Sequence, residues 1–261
     1  MSGTPEEPGA REFAVMNVEI GTPLGPIRGR VQVDTGPMRL AQLVSTATGL
    51  TEIMVGRARK AEDAANRQIS CRAGCGACCR QMVPLSIPEA FALADTIDAL
   101  PPEGRAAALA RFDAVVAGLD DAGLLDVILN ADLLADASKA ISMRYFYLGL
   151  ACPFLVDESC SIHAARPVAC REYNVTSPAS NCADPVEFGV RIVPMPLPFS
   201  LPLARLTAEL TSSPPVLVPL SLVPRWVAEH TELRARTWPG AELFNQFMGV
   251  IAKSPATWID R

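Results

Sequence analysis

At 261 residues, with 49% hydrophobic and 20% charged residues, the chain has enough apolar material for a folded core in one large domain or two small ones. Its 23 Lys and Arg against 28 Asp and Glu leave a formal charge of −5, and no basic run stands out, which argues against nucleic acid or an anionic lipid surface as a partner. Residues 1–10 are polar and rich in Pro and Gly, without the charged start and apolar stretch of a secretory signal, and no apolar run approaches the roughly 18 residues of a membrane helix. The expected location is the cytoplasm, and the expected partner is another protein or a small molecule.

The predicted elements open with a β-hairpin. Phe13 to Ile20 (FAVMNVEI) and Ile27 to Val33 (IRGRVQV) alternate around a GTPLGP turn, as half-buried strands do. Thr35 ahead of Pro37 reads as an N-cap and first-turn proline, predicting a helix to about Asn66 with Gly49 as a candidate break. A glycine-punctuated cysteine loop follows. In SIPE, Ser86 and Glu89 have capping-box spacing, so a helix is expected over about 88–99. Ala/Leu-rich amphipathic stretches predict helices over about 102–118 and 121–147. Residues 152–182 read as loop. From Val190 to Pro224 recurrent prolines limit regular structure to a short helix near 202–211, and helices near 224–236 and 240–252 close the chain. No internal repeat and no low-complexity tail stands out.

The expected architecture is mainly α: a helical protein with a small N-terminal β-hairpin and a loop-rich cysteine metal-binding region. Residues 1–36 form the hairpin arm and 37–185 the helical cysteine-cluster domain. Residues 186–261 form the Pro-rich segment and C-terminal helices, packed on the same core.

The chemistry lies in the eight cysteines. In a reducing compartment, clustered thiols of this kind serve metal binding or redox chemistry more often than disulfides. Four of them stand in CRAGCGACC: Cys71, Cys75, Cys78 and Cys79. The others, Cys152, Cys160, Cys170 and Cys182, fall in CPFLVDESCSIHAARPVACREYNVTSPASNC. Thiolates are soft, charged donors for zinc and iron–sulfur centres, and closely spaced cysteines on a loop freed by Gly74 and Gly76 can converge on one centre. The C-x3-C-x2-C spacing of Cys71, Cys75 and Cys78 matches the loop of radical S-adenosylmethionine enzymes, but the Ala/Leu helices that follow do not build their strand–helix barrel. Neighbouring side chains point apart in strands and helices, so Cys78 and Cys79 are not both expected on one tetrahedral ion. Two four-thiol centres, or one centre with spare redox thiols, remain open, and His163 is a candidate metal ligand that could substitute for one of the cysteines.

These motifs, followed by CPFL, CSIHAARPVACREY and a trailing cysteine, resemble the bacterial YkgJ-type cysteine-cluster family, a zinc- or iron-chelating domain described by a CxxCxxCC pattern. The resemblance covers about residues 71–182. It implies that Cys71, Cys75, Cys78, Cys79, Cys152, Cys160 and Cys170 occupy the family's cysteine positions, with Arg166 and Pro167 on its RP step and His163 where a tyrosine or histidine is usual. The helical insert between the two halves has no counterpart. Within the wider group, flagellin lysine N-methylase shares the cysteine pattern, which implies a cluster-dependent methyl transfer, although nothing outside the motif resembles it. The expected cofactor is an iron–sulfur cluster, [4Fe–4S] before smaller types, with redox or cluster-dependent chemistry; the alternative is a zinc-binding structural protein without catalysis.

Other residues have simpler readings. Arg80, Arg166 and Arg171 flank the thiols and either offset their charge or hold loop carbonyls. Tyr145, Phe146 and Tyr147 are expected in the core, His230 on a solvated helix face, and Asp120 and Asp121 at a helix start or turn. No Walker loop, GxGxxG, GxSxG or HExxH is present. Nothing in the sequence decides whether the protein is an enzyme.

Overall fold

The computed structural model describes residues 12–254 apart from residue 73; the polar residues 1–10 lie outside the described residues. Strands β1 (Phe13–Ile20) and β2 (Ile27–Asp34) form the expected antiparallel hairpin, Phe13 opposite Asp34 and Ile20 opposite Ile27. Val18, Ile20, Ile27 and Val33 turn inward.

The next segment departs from expectation. Pro37–Arg39 is a strand, β3, and a 3-10 turn at Leu40–Gln42 leads into α1 (Leu43–Ala64), which passes Gly49 without a break. Thr35 caps no helix; its backbone N–H and its hydroxyl both donate to the Glu12 carbonyl, at 2.9 and 3.0 Å. After the cysteine loop come β4 (Pro84–Ser86) and α2 (Ile87–Asp98), with the expected capping box.

Helix α3 (Pro102–Asp121) ends in a Schellman motif: Gly123, at φ +62°, donates to Asp120 O at 2.8 Å and Leu124 donates to Leu119 O at 2.8 Å. The helix expected over 121–147 is therefore two shorter ones, α4 (Leu125–Leu129) and α5 (Ser138–Tyr147). Asp120 and Asp121 lie at the end of α3, on its exposed side.

The expected loop at 152–182 holds strands β5 (Leu155–Val156) and β6 (Ser159–Cys160) and helix α6 (Val168–Glu172). Then come α7 (Pro185–Phe188), α8 (Ser200–Thr211), β7 (Leu217–Pro219), α9 (Val223–Glu229), α10 (Thr231–Ala235), β8 (Thr237–Pro239) and α11 (Gly240–Lys253). The helix expected over 224–236 breaks at His230, which stacks on Trp226 at 3.8 Å and meets the Trp226 carbonyl through Nδ1 at 2.7 Å. That ring is half-buried rather than solvated.

Two strand pairs organise the helices. β3 pairs with β8 and β4 with β7, both antiparallel, and each of the four strands runs into a helix, directly or through one 3-10 turn. The starts of α1 and α11, and of α2 and α9, are thereby pinned together. The tetrapeptide VPLS occurs at 83–86 and again at 218–221, and the two copies pair through Pro84 and Pro219. This short repeat corrects the expectation of none. One continuous core runs from Val18 of the hairpin to Ile251 of α11, and Val193, Leu197 and Phe199 carry the Pro-rich segment into it. Asp95 of α2 holds Arg39 of β3 at 3.0 Å and Arg234 of α10 at 2.6 Å.

Glu89 does more than cap α2. It is 1% exposed; Oε2 accepts from the Ser86 N–H and hydroxyl at 3.0 and 2.7 Å, and Oε1 accepts from Ala169 N–H at the start of α6, at 3.4 Å. Burial raises its pKa, against the lowering by those bonds. A carboxyl whose folded value lies above its unfolded value stabilises fully below the unfolded value, about 4.3, and loses that contribution as pH rises through the folded one. Glu89→Gln turns an amide N–H toward backbone donors and is expected to cost about 1–2 kcal/mol at pH 4. The gap between parent and variant should shrink toward pH 8 in urea denaturation; a gap that widens with pH would contradict the raised value.

Candidate metal centre

The two cysteine-bearing stretches meet through backbone contacts. Ser70 donates to Val175 O at 2.9 Å, which anchors the chain just before Cys71. Gly74, at φ +79°, turns the loop, and a 3-10 turn at Ala77–Arg80 then carries Cys78 and Cys79. Cys152 N–H donates to Cys79 O at 2.7 Å, joining the halves at the vicinal pair. Cys160 lies opposite Leu155 in the β5–β6 hairpin. Cys170 sits on α6, and Cys182 on a 3-10 turn at Ala179–Ala183 that packs against the turn of Cys78 and Cys79.

A second clasp closes the same seam. Asp157 and Glu158 form the hairpin turn at φ +49° and +56°, the left-handed pair that a two-residue turn demands. This aims Glu158 at Arg80, which bonds it at 2.6 and 3.1 Å and also donates to Gly76 O at 3.0 Å. Glu158 approaches so closely that a Cβ on Gly76 would meet its Oε2 at 2.5 Å. Gly76 thus leaves room for the Glu158 carboxylate and the Leu155 tip, flexible side-chain ends that a Cβ would displace.

All eight cysteines are free thiols: Cys71 is exposed, Cys182 buried and the other six between. Burial pushes the Cys71 thiol up, and Cys78 and Cys75 add to this against a backbone hydrogen bond at Val175 and the Arg166 charge. Burial likewise raises Cys152 to about 11, with Cys160 and Cys78 contributing, and Cys182 to about 11, with Cys71, Cys78 and Cys75 contributing. Cys170 is raised by burial and then by Cys152, Cys78, Glu89 and Cys160. Cys78 is raised first by its hydrogen bond with Cys79, then by burial.

By mutual electrostatic influence seven of the eight thiols fall into two sets. Cys71, Cys75 and Cys182 form one; Cys152, Cys160 and Cys170 form the other; Cys78 acts on both. On the 3-10 turn Cys79 is the first cause of the raised Cys78 pKa, so the two neighbouring thiols influence each other.

The donor set suits a thiophilic cation in number and chemistry. Burial and mutual repulsion oppose ionisation of each shifted thiol, and a bound cation reverses that balance, so binding releases protons and weakens as pH falls. Among the described residues, however, no three His, Cys, Asp or Glu side chains converge closely enough to hold an ion as they stand.

The remaining candidates separate. His163 starts a one-turn 3-10 segment and is exposed. Of the arginines, Arg166 acts on Cys71 and Cys78, Arg80 serves the Glu158 clasp, and Arg171 turns away to Glu52 at 2.5 Å and the Arg166 carbonyl at 3.0 Å. Tyr145 is buried, but Tyr147 is 59% exposed, against expectation, because the short α5 turns only one of its faces to the core. Sequence reading missed Glu158, for which the signal was the turn-forming DES, and Arg111, which donates to Pro153 O at 2.5 Å and whose charge reaches Cys152.

No curated protein and no solved structure matches the chain. Residues 70–187 match a family model described as "CxxCxxCC: Putative zinc- or iron-chelating domain". The match starts one residue before Cys71 and includes all eight cysteines, while the flanking segments supply the β1–β2 hairpin, α1 and the C-terminal helices. Residues 70–187, which carry the thiol region built around Cys78, are thus similar to the CxxCxxCC zinc- or iron-chelating domain.

Proposed function

We propose that the protein binds iron through cysteine thiolates as an iron–sulfur centre, of [4Fe–4S] type, and serves redox or cluster-dependent chemistry, methyl transfer included. When bound, such a centre supplies electron transfer at a potential tuned by its surroundings. The observation that carries the reading is an all-thiol donor set that stays accessible at Cys71, whereas a structural zinc site is closed by four protein ligands. A reducing location, the cytoplasm, fits the eight free thiols. No helix among the described residues is long and apolar enough to cross a membrane. The partner we infer is a protein or small molecule.

Anaerobic purification after iron-replete expression should yield brown protein containing iron and acid-labile sulfide. Colourless protein with stoichiometric zinc and no sulfide would overturn iron in favour of the structural alternative. Because Cys78 reaches both thiol sets, Cys78→Ser should lose more metal than Cys79→Ser, as read by elemental analysis of the two purified variants. Equal loss would place the two thiols in equivalent roles.

A further inference from the structure

A cleft of about 410 Å³ lies between α1, α2 and the segment carrying residues 164–171. That volume falls within the range of small-ligand pockets. Its walls are mostly small and apolar, with Val44, Ala92, Leu93 and Pro167 among them. Three charged residues line it, and two are committed elsewhere. Arg171, 9% exposed, is held by Glu52 and by the carbonyls of Ala164 and Arg166. Glu89 is held by Ser86 and Ala169. Arg166 differs: its Nε is buried and has no hydrogen-bond partner among the described residues. That Nε has no accessible surface, so a ligand in the cleft would meet Arg166 through its two Nη groups, which hold no hydrogen bond or ion pair among the described residues and match the two oxygens of a carboxylate. Ser45 and Thr96 donate their hydroxyl protons to Gln42 O and Ala92 O, so they offer lone pairs rather than donors to a ligand. An anion therefore has Arg166 as its natural partner.

We propose that this cleft binds a small organic carboxylate, with the Arg166 guanidinium holding the carboxylate and the apolar walls of α1 and α2 holding its body. A carboxylate matches the planar fork of a single guanidinium in charge and shape, whereas a phosphate dianion would leave a charge uncompensated against apolar walls. The Arg166 charge also acts on Cys71 and Cys78, so the cleft adjoins the thiol region. A substrate or effector bound there would lie beside the metal domain.

The test is calorimetric titration of the full chain with sodium benzoate and, as its neutral isostere, benzamide, at constant ionic strength. Benzoate should bind saturably and benzamide about tenfold more weakly or not at all, the loss of one charged hydrogen bond. Arg166→Gln should weaken benzoate by about tenfold for the same reason. Ala92→Phe, which fills the cleft and leaves Arg166 in place, should abolish binding, with circular dichroism and metal content like the parent's. If Arg166→Gln fails to fold, Ala92→Phe decides alone. Absence of saturable binding, equal binding of benzamide, or benzoate binding unchanged in Ala92→Phe would overturn the proposal. Inorganic phosphate that displaces benzoate at equal concentration would overturn the carboxylate assignment. Metal content is read separately, so these outcomes do not depend on whether the thiols hold iron or zinc.

Discussion

Replacing Cys75 or Cys170 by serine should strip most of the metal and, with it, much of the stability and solubility of the whole chain. The two residues sit in different thiol sets, each of which includes Cys78. A metal held across them would tie the loop after α1 to α6, adding to the Ser70–Val175 and Cys152–Cys79 backbone bonds and the Arg80–Glu158 pair. Since no ligand cage is preformed among the described residues, binding energy should appear largely as folding energy. A site worth several kcal/mol corresponds to a melting temperature lower by on the order of 10 °C in a chain of this size. Calorimetry alongside metal analysis checks this. Variants that lose metal yet melt like the parent would show that the site hangs on a core stable without it.

Gly240→Ala should be the most damaging conservative change outside the thiols. Gly240 opens α11 and donates its N–H to Gly36 O at 2.9 Å. A Cβ there would collide with the backbone carbonyl of Asp34, and it would meet Met38 Sδ at 2.7 Å. A carbonyl at the end of the β1–β2 hairpin cannot yield without moving β2 or β3, so overpacking should cost about 3 kcal/mol and roughly 10 °C in melting temperature. Gly249→Ala, later on the same helix and with nothing within 4 Å of its Cβ, should instead be neutral or stabilise by up to about 1 kcal/mol through helix propensity. Thermal melting of the pair isolates the packing effect, and similar melting temperatures for the two variants would refute it.

Where a local rule governs, the sequence was sufficient. The alternation of FAVMNVEI and IRGRVQV around a turn is complete within 21 residues, and the capping box of α2 needs only Ser86 and Glu89. Cysteine spacing carried the metal domain, because ligand chemistry depends on residue type and proximity along the chain. The Schellman stop of α3 was also written locally, in Gly123 and Leu124, and was overridden by an apolar pattern that continues past it.

Tertiary structure alone decided the rest. Strands of three residues such as β3 and β8 have no periodicity to display, and Pro37 fits a helix start as well as an edge strand; Met38 opposite Trp238 settled it. The burial of Glu89 and its bond to α6 likewise depend on a segment remote in sequence. For the thiols, the sequence determined that eight cysteines were available and that two were adjacent. Their division into two sets meeting at Cys78 depends on how a 3-10 turn, a two-residue hairpin and α6 pack together. Side-chain direction in such short elements is set by their neighbours rather than by a repeating backbone geometry.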